Sequence, residues 1–222
     1  MKLAHTLSLL SGKTLPPRQV LSDRWEDRET ILQPQVNLYC WQRPMNPAIL
    51  AHLGQQMRQD LPAISCLRVT QKHIAAQLGE ARTAWEPEPS HGGDSFWQDL
   101  IMITRDFLAF SKNGSGQIHL KVVRDDACRK FHTDGYRLRL FTTYYGRGTE
   151  WLPERATNRA ALGKNNEKIV KDPALVKRME PFQVGILKGE VPNTIHTVKG
   201  IVHRSPPIAQ AGERRLIHRV DI

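Results

Sequence analysis

Residues 128–153, CRKFHTDGYRLRLFTTYYGRGTEWLP, limit the possible folds more than any other part of the chain. Within them Tyr136, Leu138, Leu140, Thr142 and Tyr144 alternate with Arg137, Arg139, Phe141, Thr143 and Tyr145. A period of two is the mark of a strand with two distinct faces. His132 and Asp134 stand just upstream, and Gly146 and Gly148 break the run downstream. Side chains at i and i+2 of a strand share a face, so an imidazole and a carboxylate at that spacing can grip one metal ion. A third ligand from elsewhere would complete the 2-His-1-carboxylate arrangement that leaves coordination sites open on non-haem Fe(II). A single His-x-Asp is weak evidence in a chain with nine histidines, so the weight falls on what the rest supplies.

The alternation also holds at Ile118, Leu120 and Val122, and short apolar runs follow at 183–190, 201–203 and 214–220. Upstream the pattern is different. Residues 1–30 lack periodicity and read as loosely ordered, and 36–41 read as a strand. Asn46 followed by Pro47 is an N-cap with proline in the first turn, opening a helix over about 46–59. A strand over 64–69, a helix over 71–81 and a Pro/Gly-rich loop over 85–93 come next. Asp94 or Ser95 then caps the longest helix, about 95–111, whose stripe of Phe96, Leu100, Ile103, Phe107 and Phe110 suits packing along a sheet. The expectation is an α+β protein with a single domain over 31–222. A mainly helical flank over 31–112 precedes a jelly-roll-like β core over 113–222, which carries a polar insertion or lid at 154–180.

Charge and cysteine usage narrow the function classes. The net charge of +10 is uneven: residues 1–93 hold 10 Lys/Arg against 8 Asp/Glu, and residues 94–222 hold 22 against 14. That field favours anionic substrates. It contains no basic run long enough for a nucleic-acid patch, so nucleic acid is an unlikely partner. The apolar patch at 7–10 is too short and interrupted for a signal peptide or a membrane span. Cys40, Cys66 and Cys128 are odd in number and widely spaced, which argues against a disulfide framework and for the cytoplasm.

The downstream candidates for a third metal ligand are His196, His203 and His218. His203 is best placed, after apolar Ile201 and Val202 and before Pro206-Pro207, which end the strand. His196 lies in a polar turn and His218 in an apolar strand near the C-terminus. On the last strand an inward-facing arginine must meet an anion, because an unpaired buried charge is costly. Arg214 shares its face with Leu216 and Val220, and Arg215 with Ile217 and Arg219, so Arg214 is favoured inward. Cys128, four residues before His132, would join the metal face on an unbroken strand and could close a tetrahedral zinc site. In a zinc hydrolase, Glu150 or Glu190 would serve as base.

His132-x-Asp134, the Thr/Tyr-rich strand and the turn Gly146-Arg147-Gly148-Thr149-Glu150-Trp151 together resemble the Fe(II)/2-oxoglutarate dioxygenases of the prolyl-4-hydroxylase type. His203, Pro207, Gly212 and Arg214 follow in that family's order. The resemblance implies a double-stranded β-helix (a cupin-like jelly roll), with Fe(II) held by His132, Asp134 and His203. It also implies 2-oxoglutarate held by Arg214, with a hydrogen bond from Tyr144. The turn after the strand is expected to put Thr149, Glu150 and Trp151 at the rim. More closely, FHTDGYRLRLFTTYYGRGTEWLP with KGE, HRSPP and GERRL is similar to a bacterial family, domain-of-unknown-function family 1826. That likeness brings zinc homeostasis into view as the alternative role. The expected activity is hydroxylase-type oxidation of a small molecule or protein side chain.

Overall fold

In the computed structural model of the protein, residues 16–86, 88, 90–126, 128–193 and 198–222 are described. Among these residues ten strands form two sheets. The large sheet contains β1 (Arg18–Ser22), β2 (Val36–Trp41), β3 (Ile64–Thr70), β4 (Ser115–Val123), β5 (Leu138–Tyr145), β8 (Val184–Lys188) and β10 (Arg215–Asp221), in the order β1-β2-β8-β5-β10-β4-β3. The small sheet contains β6 (Glu150–Leu152), β7 (Lys177–Arg178) and β9 (Val202–Arg204), in the order β7-β6-β9. All pairs are antiparallel except β1 with β2. From β4 onward the chain passes back and forth between the sheets. A bridge from His132 to His203 adds the 132 segment to the edge of the small sheet.

The large sheet is buried on both faces, and the two faces differ. Leu138, Leu140, Tyr144, Leu216 and Val220 pack under α1 (Pro47–Gln56) and α3 (His91–Leu108) against Ile49, Leu53, Phe96, Leu100, Ile103 and Phe107. Each fully buried large apolar side chain contributes about 1.5–3 kcal/mol of transfer free energy, so this helix-covered face is the main core. The opposite face carries Arg139, Phe141, Thr143, Arg215, Ile217 and Asp221 toward the small sheet. There Leu38, Cys40, Leu187, Trp151, Met179 and Ile201 form a second, smaller core.

Several local expectations shift. Residues 18–32 are ordered: β1 pairs along β2, and a 3-10 helix over Trp25–Leu32 buries Trp25 and Ile31. Asn46 caps α1 as expected, accepting from the Ala48 amide at 2.9 Å. The second helix, α2 (Ile74–Trp85), starts and ends later than its pattern suggested. The cap of α3 is Ser90, whose Oγ accepts from the Gly93 amide at 3.0 Å, so the helix begins at His91 rather than 95. The glycines that read as loop lie in its first turn, where Gly92 meets the α1 backbone at Ala48 too closely for a Cβ. Among the described residues no helix is long and apolar enough to cross a membrane, and the three cysteines are free.

Candidate metal centre

The His-x-Asp pair does not lie on β5. That strand starts at Leu138, and residues 131–137 are irregular apart from one bridge. Through that bridge the backbones of His132 and His203 exchange hydrogen bonds, at 3.0 and 2.9 Å. Asp134 is placed from the other side, where its carbonyl accepts from the Glu190 amide at 2.7 Å. Gly189 makes this possible, because a Cβ there would collide with the Asp134 and Tyr136 carbonyls.

The result is a cluster of three ligand atoms, one each from His132, Asp134 and His203, all within 4.8 Å of one another. His132 Nε2 lies 3.7 Å from Asp134 Oδ1, and His203 Nε2 lies 3.4 Å from Asp134 Oδ2. Each imidazole has its other nitrogen against a backbone carbonyl: His132 Nδ1 at 2.8 Å from Lys130 O, and His203 Nδ1 at 3.3 Å from Ile201 O. A carbonyl only accepts, so Nδ1 carries the proton and the Nε2 lone pair faces the cluster. This is the usual outer support of a metal-bound histidine. Burial pushes His203 down to about 4, against the raising effect of Asp134, which keeps the ring neutral at pH 7. Asp134 Oδ2 is buried without a hydrogen-bond partner. Such an orphaned acceptor costs about 1–3 kcal/mol or more unless something fills it, and a divalent cation suits the donor set.

Arg139, which the sequence reading missed, holds the other oxygen. Its Nη1 pairs with Asp134 Oδ1, and its Nε donates to Asp221 Oδ1 at 2.5 Å. Burial opposes its charge, but the carboxylates of Asp221 and Asp134 outweigh that and raise its pKa. The signal was present, since an arginine between Leu138 and Leu140 on a buried strand must find an acid. Its partner Asp221 lies on another strand and could not be read off.

The arginine assignment is reversed by the structure. Arg215, not Arg214, is fully buried between the sheets. Its Nε donates to Arg147 O at 2.6 Å, and its Nη2 donates to Thr143 Oγ1 at 3.2 Å and Thr149 Oγ1 at 3.3 Å. Its Nη1 is buried with no partner. Burial pushes it down to about 10, with Glu150 pulling the other way, so it remains a cation at neutral pH. Arg214 turns to the helix side, where its Nη1 donates to Met57 O at 2.8 Å. Tyr144 also leaves the site. It lies under α3, its hydroxyl donates to Asp99 Oδ2, and Arg43 grips the same carboxylate.

The other candidates fall in distinct places. Glu150 is buried and engaged by Arg178 at 2.6 Å and Arg204 at 2.8 Å, and these hydrogen bonds outweigh burial and lower its pKa. So held, it is not poised as a base. Glu190 is engaged too, through Gly200 N and Arg159. Trp151 is not at a rim: it pairs with His203 across β6 and β9 and packs inward on Leu38 and Leu187. Cys128 is exposed and not in the cluster, so the four-ligand zinc site does not form among the described residues. It lines a cavity of about 440 Å³ beside His132, with Asp126, Arg129 and Lys130. His218 is buried on the helix side against Thr104, and His196 lies outside the described residues.

None of the curated proteins matches the sequence. Among solved structures, the dioxygenase for auxin oxidation 1 from Arabidopsis thaliana, in a binary complex with 2-oxoglutarate, aligns with a TM-score of 0.49 at 7% identity, covering 93% of this chain and 92% of that one. The dioxygenase for auxin oxidation in rice aligns with a TM-score of 0.49 at 11% identity, over 93% and 82% of the two chains. A Pseudomonas putida prolyl-4-hydroxylase aligns with a TM-score of 0.33 at 11% identity, over 81% and 96%. The sequence match is to the family described as "Protein of unknown function (DUF1826)", and it runs over residues 22–221. With nearly its whole length matched, the chain belongs to the DUF1826 family.

Proposed function

We propose that this protein is a non-haem Fe(II)- and 2-oxoglutarate-dependent oxygenase of the hydroxylase type. The observation that carries the reading is the His132–Asp134–His203 cluster, with both Nε2 atoms turned toward the Asp134 carboxylate, whose Oδ2 is buried and has no hydrogen-bond partner. Three protein ligands of this kind leave positions open for a co-substrate, as the facial arrangement on Fe(II) requires. The back-and-forth path of β4 to β10 between two sheets is read as a double-stranded β-helix, with the cluster between them. Residues 16–112 supply the helices and edge strands around it.

Arg215 takes the role expected of Arg214. Thr149, which accepts from Arg215, lies two residues along the chain from Trp151, the partner of His203 in β9. The unpartnered Nη1 is a donor in reserve between the two sheets, suited to the distal carboxylate of 2-oxoglutarate. Bound Fe(II) and 2-oxoglutarate would supply the oxidising power for a C–H bond. The chain's own contribution is orientation and exclusion of water. Arg139 holds Asp134 by one oxygen and leaves the other for metal, and Trp151, Phe141 and Leu187 pack in one apolar cluster between the sheets.

The exposed edge of His132 opens on the 440 Å³ cavity, where Arg129 and Lys130 stand on the rim. Asp126 there is already occupied by the Ile208 and Ala209 amides. This favours an anionic small molecule or protein side chain as substrate, and three free cysteines suit a cytoplasmic setting. Anaerobic titration with Fe(II) and then 2-oxoglutarate tests the reading. A metal-to-ligand charge-transfer band should appear in the wild type and vanish in Asp134→Ala. Metal uptake without that band would leave the zinc-linked role as the better account.

A further inference from the structure

Residues 154–180 touch the backbone on which each of the three ligand residues depends. The segment is folded on itself: Asn158 N donates to Ile169 O at 2.7 Å, Lys171 N donates to Ala156 O at 2.8 Å, and Thr157 bridges Val170. Its short helix α4 (Asn166–Ile169) buries Ile169 in a cluster with Phe131, Leu152, Ala156, Ala161 and Val202. Two polar side chains then leave the segment toward the metal cluster.

The first is Asn166. Its Oδ1 accepts from Phe131 N at 2.9 Å, and its Nδ2 donates to Arg129 O at 3.0 Å. In an extended chain alternate residues direct their backbone groups to opposite edges. His132 spends its N–H and C=O on His203, so Arg129 and Phe131 face the other edge, where no strand follows among the described residues. The Asn166 amide supplies the donor and acceptor that a neighbouring strand would have offered. Phe131 is buried, so its N–H would otherwise lack a partner.

The second is Arg159. Its Nη2 donates to Gly200 O at 2.8 Å, and its Nη1 approaches Glu190 Oε1 at 3.4 Å. Glu190 N is the donor to Asp134 O, and Glu190 Oε1 accepts from Gly200 N at 2.9 Å. One guanidinium therefore braces the support of Asp134 and the entry to the strand that carries His203. Glu154 anchors it within the same segment, accepting at 2.7–3.0 Å.

We propose that residues 154–180 are a clamp for the metal site rather than a lid, with Asn166 and Arg159 as positioning residues for His132, Asp134 and His203. This rests on the metal-site reading. Outer partners that orient ligands commonly change metal affinity by about 10–100-fold when removed.

The test uses the full chain and Co(II) as a spectroscopic stand-in for Fe(II). Asn166→Ala and Arg159→Gln are each expected to weaken Co(II) binding by at least about tenfold and to alter its visible absorption bands. Asn166→Asp, which keeps the acceptor for Phe131 N, should fall between. Ile169→Val trims the packing of the same segment without touching a polar contact, and should lower thermal stability while leaving the Co(II) bands and affinity alone. If Ile169→Val weakens binding as much as Asn166→Ala, the effect is general loosening and the clamp is overturned. Variants within twofold of a Co(II)-binding wild type overturn the clamp alone. A folded wild type that takes up no Co(II) overturns the metal reading and the clamp together.

Discussion

His132 and His203 exchange both backbone hydrogen bonds across a single bridge, and their rings stand 4.7 Å apart between centroids. Two candidate ligands from distant parts of the chain thus share one small piece of backbone. Their cluster should bind a divalent cation tightly enough to stabilise the fold. At a concentration one hundred times its Kd, a metal adds about 2.7 kcal/mol to unfolding free energy. Urea unfolding with and without Co(II) should show that gain in wild type and lose it in His132→Ala, Asp134→Ala and His203→Ala. An equal gain in all four proteins would place the ion elsewhere.

Arg139 neutralises two buried carboxylates, Asp134 and Asp221. Removing one partner of a buried ion pair typically costs about 3–5 kcal/mol, because the other charge is left behind. Arg139→Leu should lose stability on that order. Saturating metal should recover part of the loss by neutralising Asp134, while Asp221 is left with Arg219, whose Nε lies 3.1 Å from its Oδ2. A metal-independent loss in chemical denaturation would show that Asp134 is not a ligand.

Arg215 and Tyr144 face opposite sides of the large sheet, and this separates their variants. Hydrogen bonds to charged groups contribute about 1.5–3 kcal/mol, or roughly 10–100-fold in affinity. Arg215→Lys should weaken 2-oxoglutarate binding on that scale. Tyr144→Phe and Arg214→Ala should leave it unchanged, although Tyr144→Phe removes a donor from Asp99 and should lower stability by about 1–3 kcal/mol. Anaerobic absorption titrations of the three variants decide the matter. A co-substrate defect in Tyr144→Phe alone would contradict the assignment.

Burial pushes His218 down to about 3, with Asp99 opposing. The folded protein therefore resists protonating it, whereas the unfolded chain accepts the proton near pH 6.5. Its contribution is complete above pH 6.5 and is lost as pH falls from there toward 3. At pH 4.5 the loss is roughly 2–3 kcal/mol. Denaturation of wild type and His218→Leu across this window should show a shallower acid slope in the variant. Parallel slopes would mean that His218 is not the group responsible.

Gly189 lets the β8 end approach the backbone of Asp134, where a Cβ would strike two carbonyls. Gly189→Ala should displace Asp134 and weaken metal binding more than it lowers the melting temperature. Co(II) titration beside a thermal melt measures both.

The local features were legible because they rest on near neighbours. Period two marked β4 and β5, the Asn46-Pro47 cap marked α1, and Ile201 and Val202 before a double proline marked the strand of His203. The order of His132, Asp134 and His203 along the chain was enough to single out three residues that the structure brings together. Face assignment was a different matter. Alternation says that Arg214 and Arg215 point oppositely, and that Tyr144 opposes Thr143, but it does not say which side holds the site. The apolar company of Leu216 and Val220 suggested an interior, and it is one, but it is the interior under the helices. A sheet buried on both faces has two interiors, and only the packing of α3 on one and β6 with β9 on the other distinguishes them. The same dependence hid Arg139–Asp221, Asn166 and Gly189, whose roles come from backbone and charges that meet only when distant segments close. The sequence by itself determined the residue types of the cluster and the strands that flank them. The tertiary structure decided which face of those strands became the site, because that choice depends on what covers each face and not on the spacing along either strand.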